Sequence, residues 1–396
     1  MGNVGLVRDS LADEILSAVD DGELLELAKG VLAIPSHQQN EQRIGQYVAE
    51  QMDRLGFEVD LQEVVNGRCN VIGVLPGSGD GANVLLNGHL DGPLFSGWTR
   101  DPFAPALEGD WLYGTGVTDM KGGLAGLIAG AAALGRVRSF PRGDVVMSAV
   151  MYHDTVGLGM KFYLASNDTP FAYGINGEPS SLRIHVHHGS AIQIEATLSG
   201  KEAHTSLKHE GDNAIGHLAR FLTALDESCL TYTPHPELPD LPRIVVGSVR
   251  GADSVSIMAR EASALFDVRG VPGMTPATVK ADVRRLAERL GIQLRLHTYA
   301  YQKPMMGTRE SPVVEALKWA HQRVLGRPTE VSSRLPTQAY ITDASDMQRE
   351  GIETAVYGPC DLRVMPDERA SWSEMRAAAR VYALAAAELA TLPAPG

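Results

Sequence analysis

Between Phe57 and Glu178 short apolar runs alternate with helix-like stretches, and after Ser181 that alternation gives way to another. Strands are expected over Phe57 to Val64, Asn70 to Leu75, Asn83 to Leu86, Asp144 to Met151 and Ala172 to Asn176. Between them lie a Gly- and Ala-rich helix from Met120 to Leu134 and a second helix from Met160 to Ala165. Apolar strands separated by helices must be buried on both faces, which means a mostly parallel sheet covered by helices, an α/β class fold. From Ser190 to Ala300 the predicted elements run β-α-β-β-α-β, the order of a ferredoxin-like α+β unit. Helices at Val313 to Leu325 and Trp372 to Leu392, with a short strand at Thr354 to Val356, resume the first pattern. The expected organisation is one domain over 1–184 and 303–396, with 185–302 inserted into it. A length of 396 residues agrees with more than one core.

The 44% apolar and 21% charged content is that of a globular chain. A net charge of −13 argues against nucleic acid or an anionic membrane as the main partner. Three scattered cysteines, Cys69, Cys229 and Cys360, make no disulfide framework. No basic start followed by an apolar run is visible near the first residue. The expectation is a cytoplasmic protein.

The apolar run ending at Leu86 leads straight into Asn87-Gly-His-Leu-Asp-Gly92, and Val117-Thr-Asp-Met-Lys-Gly-Gly123 opens the small-residue helix. Strand ends of an open α/β sheet meet in one crevice. His89 and Asp119 can therefore converge on a cation, with Asp91 fixing the tautomer of His89 through its other ring nitrogen.

With these segments, Trp98-Thr-Arg-Asp-Pro-Phe103, Gly177-Glu-Pro-Ser180, Gly200-Lys-Glu-Ala-His204, Gly211-Asp-Asn-Ala-Ile215, Asp267-Val-Arg-Gly270, Thr342-Asp-Ala344 and Tyr357-Gly-Pro-Cys360 stand in order along the chain. The set resembles the co-catalytic zinc deacylases and exopeptidases, among them acetylornithine deacetylase, succinyl-diaminopimelate desuccinylase, aminoacylase and carboxypeptidase G. The resemblance implies a zinc-exopeptidase-like α/β domain, with the insertion serving as lid and homodimerisation domain. It implies zinc, a first metal held by His89, Asp119 and Glu178, and a small amide or amino-acid-derived substrate. It also implies that His204 polarises the scissile carbonyl, and it makes Arg269 and Asn213 candidates for substrate binding.

Two positions depart from the family's pattern. Where it has adjacent glutamates, this chain has His153-Asp-Thr-Val-Gly157. Counted back from Gly159, His153 takes the general-base position and Asp154 the second-metal position; counted from Gly157, Asp154 is the base and Thr155 the ligand. The first count is adopted, giving His153 as base or as a compensating ligand and Asp154 as ligand. The family's C-terminal His falls on Val364 or Met365, neither a zinc donor. In the lid, Ser256 and Ala259 replace the usual Asn and Pro. Three protein ligands and an open position still make a catalytic zinc layout. The leading expectation is an amidohydrolase acting on an N-acyl amino acid or small peptide. The alternatives are non-hydrolytic chemistry (condensation, cyclisation or elimination) and a metal-free binding protein. His185, His187 and His188 are expected as hinge surface, and Cys360 is not expected to be a nucleophile.

Overall fold

The computed structural model describes residues 7–37, 39–137, 142–153, 157–252, 254–332, 338–362 and 367–394. The chain opens with α1 (Asp9–Ala18), α2 (Asp21–Ala33) and α3 (Gln42–Arg54). Asp20 breaks the first two apart because its carboxylate caps α2, accepting the Glu23 N–H. A hairpin follows, β1 (Glu58–Val65) and β2 (Arg68–Leu75). Asn66 and Gly67 form its two-residue turn with φ of 50° and 72°, the left-handed pair that such a turn demands. Next come β3 (Val84–His89), α4 (Lys121–Leu134), β4 (Val145–Val150), α5 (Leu158–Ser166) and β5 (Tyr173–Asn176). The inserted segment holds β6 (Ser190–Ser199), α6 (Ala214–Ala224), β7 (Arg243–Arg250), β8 (Glu261–Gly270), α7 (Pro276–Arg289) and β9 (Leu294–Gln302). The chain ends with α8 (Pro312–Leu325), α9 (Ala344–Arg349), β10 (Glu353–Val356) and α10 (Trp372–Thr391).

Two compact units result. The first runs to Val186 and takes in Met305–Ser332 and the chain from Thr342; the second is His187–Pro304 with residues 338–341. The first unit's sheet has the order β1-β2-β4-β3-β5-β10. Its four central and far strands pair in parallel, and β1 and β2 are added antiparallel at one edge. Between β3 and α4 lies a short strand, Ala106–Glu108, paired antiparallel with Trp111–Tyr113, where the stretch from Trp98 to Trp111 reads from sequence as a loop.

Helix α4 is buried along its whole length, which its all-round small-apolar sequence requires. Its glycines set the packing distance. A Cβ on Gly123 would lie 2.0 Å from the Gly177 carbonyl oxygen, and one on Gly130 would lie 2.4 Å from that of Ala379 in α10. The turn before α4 is clamped by Glu368, whose Oε2 accepts the Gly116 N–H at 2.7 Å and the Thr118 hydroxyl at 3.2 Å. Burial pushes the Glu368 carboxyl up to about 7, against these hydrogen bonds and the nearby Lys121. Lys121 itself donates to the Ile34 carbonyl, and burial pushes its ammonium down to about 8.

The second unit is an antiparallel sheet of order β7-β8-β6-β9. Alternate residues of β6 and β8, including Ile192, Ile194, Phe266 and Val268, form its core with α6 and α7. Strand β7 lies at the sheet's edge with Val245 and Val249 exposed.

Two predictions test this packing. Gly130→Ala forces α4 off α10; overpacking costs ~1–3 kcal/mol, only partly offset by the ~1 kcal/mol better helix propensity of Ala. We expect a lower urea midpoint, and an unchanged one would mean the helices are not this close. Glu368 binds its proton more tightly folded than unfolded, so the wild type loses stability as pH rises from the unfolded value near 4.5 to the folded value of about 7. Glu368→Gln stays neutral and keeps an acceptor for Gly116. Denaturation across that pH range should show the variant gaining on the wild type by about 3 kcal/mol at ~1.4 kcal/mol per pKa unit, and a constant difference would refute the assignment.

Candidate metal centre

The site stands on a polar rail inside the first unit's sheet. Asn176 Nδ2 donates to Asn87 Oδ1 at 2.6 Å, and Asn87 Nδ2 donates to Ser148 Oγ at 3.3 Å. All three side chains are fully buried on adjacent strands. Buried amides must be paired, so this rail holds β4, β3 and β5 in one register. Their carboxyl ends then deliver His89, His153 and Glu178 to one place. Asn176 Oδ1 also accepts the Glu178 N–H at 3.2 Å. The chain turns towards His153 at Tyr152, a non-glycine residue with φ of 54°. The Arg68 guanidinium lies 4.8 Å from the Tyr152 ring centroid, and Gln39 donates to the Tyr152 hydroxyl. That support holds a backbone shape which costs energy for a bulky residue.

His89, His153 and Glu178 each offer one donor atom, and those atoms all lie within 4.8 Å of one another. His89 Nε2 is 3.1 Å and His153 Nε2 3.6 Å from Glu178 Oε1. The two imidazoles stack, with centroids 4.4 Å apart and planes at 13°. The opposite ring nitrogens are engaged. His89 Nδ1 lies 2.9 Å from the Asp91 carbonyl oxygen, which can only accept, so Nδ1 carries the hydrogen. His153 Nδ1 donates to Asp343 Oδ1 at 2.8 Å. Asp91 Oδ1 accepts the His153 main-chain N–H at 3.0 Å, so one residue ties down both histidines.

Burial alone would keep both imidazoles neutral. Around His89, Glu178 and Asp91 outweigh it and raise the pKa well above the ordinary value. Around His153, burial is the largest influence, but Asp343 and Glu178 together outweigh it and the neighbouring His89, raising the pKa to about 10. Positive charge is thus drawn to this spot by its carboxylates. Two imidazole nitrogens and a carboxylate oxygen are the donor types zinc takes in catalytic sites. The residues fit a divalent cation.

The placements differ from the sequence expectation in several respects. Asp119, half-buried beside Gly92, is not among the donors that lie within 4.8 Å of one another. His153 stands with His89 and Glu178. Asp154, Thr155, Val364 and Met365 lie outside the described residues. His204 is in the second unit, exposed, and its Nδ1 accepts the Ser206 N–H as the cap of a short 3-10 turn. Arg269 is committed within that unit, donating to the carboxylate of Asp267 and the Ala339 carbonyl. Asn213 Oδ1 caps α6 and accepts from Ile215 and Ala259. His185, His187 and His188 are not surface; they are only 5, 6 and 2% exposed. His185 exchanges backbone hydrogen bonds with Val356, and His188 Nδ1 donates to the Gly189 carbonyl. Cys360 is buried with φ of 74°, and burial with nearby carboxylates pushes its thiol up, the opposite of an activated nucleophile. The residue given no role from sequence was Asp343; its signals were its place in the Thr342-Asp-Ala344 segment and its position directly before a helix.

A model of the peptidase family M20/M25/M40, whose enzymes are metal-dependent hydrolases, matches residues 85–388. A probable succinyl-diaminopimelate desuccinylase of Staphylococcus epidermidis is 22% identical over 377 residues, covering 87% of this chain and 91% of that protein. An acetylornithine deacetylase of Photorhabdus laumondii is 28% identical over 364 residues, again covering 87% and 91%. The solved structure of a di-peptidase, Dug1p, from Saccharomyces cerevisiae superposes with a TM-score of 0.80 at 12% identity, over 98% of this chain and all of that one (100%). The likeness carries the α/β fold with its mostly parallel sheet, and the matched span includes all three donors of the trio. The chain belongs to the peptidase family M20/M25/M40.

Proposed function

We propose that this chain is an amidohydrolase that cleaves the amide bond of an N-acyl amino acid or small peptide at a zinc centre built on His89, His153 and Glu178. The observation that carries the reading is the convergence of those three buried donors, with the far nitrogen of each imidazole already spent. Family membership and relatives named as a deacetylase, a desuccinylase and a dipeptidase support the substrate class. A divalent cation supplies, when bound, Lewis-acid activation of water and of an amide carbonyl. The protein's own part is to present Nε2 of both histidines and Oε1 of Glu178, and to keep them dry. Asp91 orients His89 through its carbonyl oxygen and His153 through its carboxylate. His204 is assigned the hydrogen bond to the developing oxyanion, for which its exposed imidazole has Nε2 to offer. His153 was read from sequence as base or ligand. Its Nε2 faces Glu178 beside His89, which favours the ligand role.

The non-hydrolytic and metal-free readings draw less support. Buried carboxylates around two histidines call for a cation, and a pure binding surface has no use for that arrangement. The second unit is assigned the homodimer contact. Its edge strand β7, with one register irregularity between Val246 and Ser248, leaves Val245 61% and Val249 57% exposed, and an apolar edge is a template for pairing with another strand. Cys69, Cys229 and Cys360 are free thiols, which supports a reducing, cytoplasmic setting. Among the described residues no helix is long and apolar enough to cross a membrane.

Dialysis against a chelator should abolish release of the free amino acid from N-acyl substrates, and added zinc should restore it. His89→Ala should lose both bound metal and turnover, by at least ~10² in rate; hydrolysis that persists without metal would sink the proposal. For the dimer, sedimentation of Val245→Lys with Val249→Lys should give a monomer where the wild type gives a dimer. A monomeric wild type at micromolar concentration would remove β7 from this role.

A further inference from the structure

We infer that Asp343 is a positioning residue that turns His153 into a third metal donor. The inference rests on the zinc-centre reading above and adds a residue to it. Asp343 is the N-cap of α9, where an Asp side chain ordinarily accepts a hydrogen bond from the first turn of its own helix. Here it makes no such cap. Its Oδ1 instead takes the Nδ1–H of His153, 190 residues away in the chain, at 2.8 Å. Its Oδ2 has no hydrogen-bond partner among the described residues, and the side chain is 1% exposed. A buried carboxylate that forgoes its local helix and keeps a single donor is committed to that donor.

The consequence for His153 is geometric. With Nδ1–H held by Asp343, the tautomer is fixed and the lone pair stands on Nε2, facing Glu178 Oε1 at 3.6 Å and stacked over His89. His89 has the same arrangement, with the Asp91 carbonyl oxygen in place of the carboxylate. The two rings are thus turned so that both Nε2 atoms face the same carboxylate oxygen. Asp343 acts only through His153 and touches none of the reacting atoms.

The test is metal binding by the full-length chain, titrated with Zn²⁺ and Co²⁺. Asp343→Asn should raise the zinc dissociation constant about 10- to 100-fold, as loss of a ligand's hydrogen-bond partner does, and should shift the visible cobalt spectrum. Asp343→Glu should recover part of the affinity. On a His153→Ala background, Asp343→Asn should change neither affinity nor spectrum further; this arm separates positioning from a general loss of folding. Wild-type affinity and an unaltered cobalt spectrum in Asp343→Asn would overturn the inference and leave the zinc centre standing. A further loss on the His153→Ala background would also overturn it, because Asp343 would then act otherwise than through His153. A wild-type chain that binds neither ion would overturn the zinc centre, and this inference with it.

Discussion

A carboxylate shut away from water needs a counter-charge, and the first unit buries Glu178, Asp91 and Asp343 around two imidazoles. An isolated buried ion costs several kcal/mol even after relaxation, on the order of what a whole domain has to spare. The cluster is tolerable only because each acid has a donor: His89 for Glu178, the His153 main chain for Asp91, the His153 ring for Asp343. Without a metal, the raised pKa values of both histidines mean that protons supply the balancing charge. A divalent cation supplies the same charge in a smaller volume, so metal binding and folding of this region are expected to be linked.

That balance depends on position, and position depends on the sheet. The Asn176–Asn87–Ser148 rail lies under the three strand ends and leaves no freedom to slip by a residue, since a slip would strand buried amides without partners. Above it, α4 can approach only because Gly123 brings it against the Gly177 carbonyl, one residue before Glu178. Any side chain at Gly123 would push on the backbone that carries a donor. The small-residue composition of α4 is thus part of the site's geometry, though none of its side chains is among the three donors.

The architecture was legible in the sequence for reasons that are local. Apolar strands, a Gly/Ala helix and the β-α-β-β-α-β order each leave a mark in the sequence. His89 and Glu178 were legible because they stand at predicted strand ends. His153 was found too, but with two roles open, because its role depends on which ring nitrogen is engaged. That is decided by Asp343, which is remote in the chain and adjacent only in space. The histidines at 185, 187 and 188 went astray for the same reason. Motif spacing says which residues come near a site, whereas side-chain direction and burial come from partners that spacing does not name. Arg269 and Asn213 show the same from another side, since each has a neighbour that spacing did not name, Asp267 for one and the start of α6 for the other.

The shape of the centre also bears on how many metals it can take. A shared carboxylate between two cations must present both oxygens to the site, and Asp119, half-buried beside Gly92, is the residue to which the resemblance gives that role. Glu178 Oε1 is the oxygen on which the two histidines converge, so the described donors surround one position. Such a centre leaves the proton of the attacking water without the glutamate that the resembled deacylases place beside it. Were His153 a metal ligand, that proton would need an acceptor other than its ring. The substrate's own carboxylate, present in every N-acyl amino acid, has the chemistry to take it. On this argument the free α-carboxylate becomes a requirement of turnover and not only of recognition. Esterifying it should then lower kcat more than it raises KM, and a loss confined to KM would return the role to a residue of the chain.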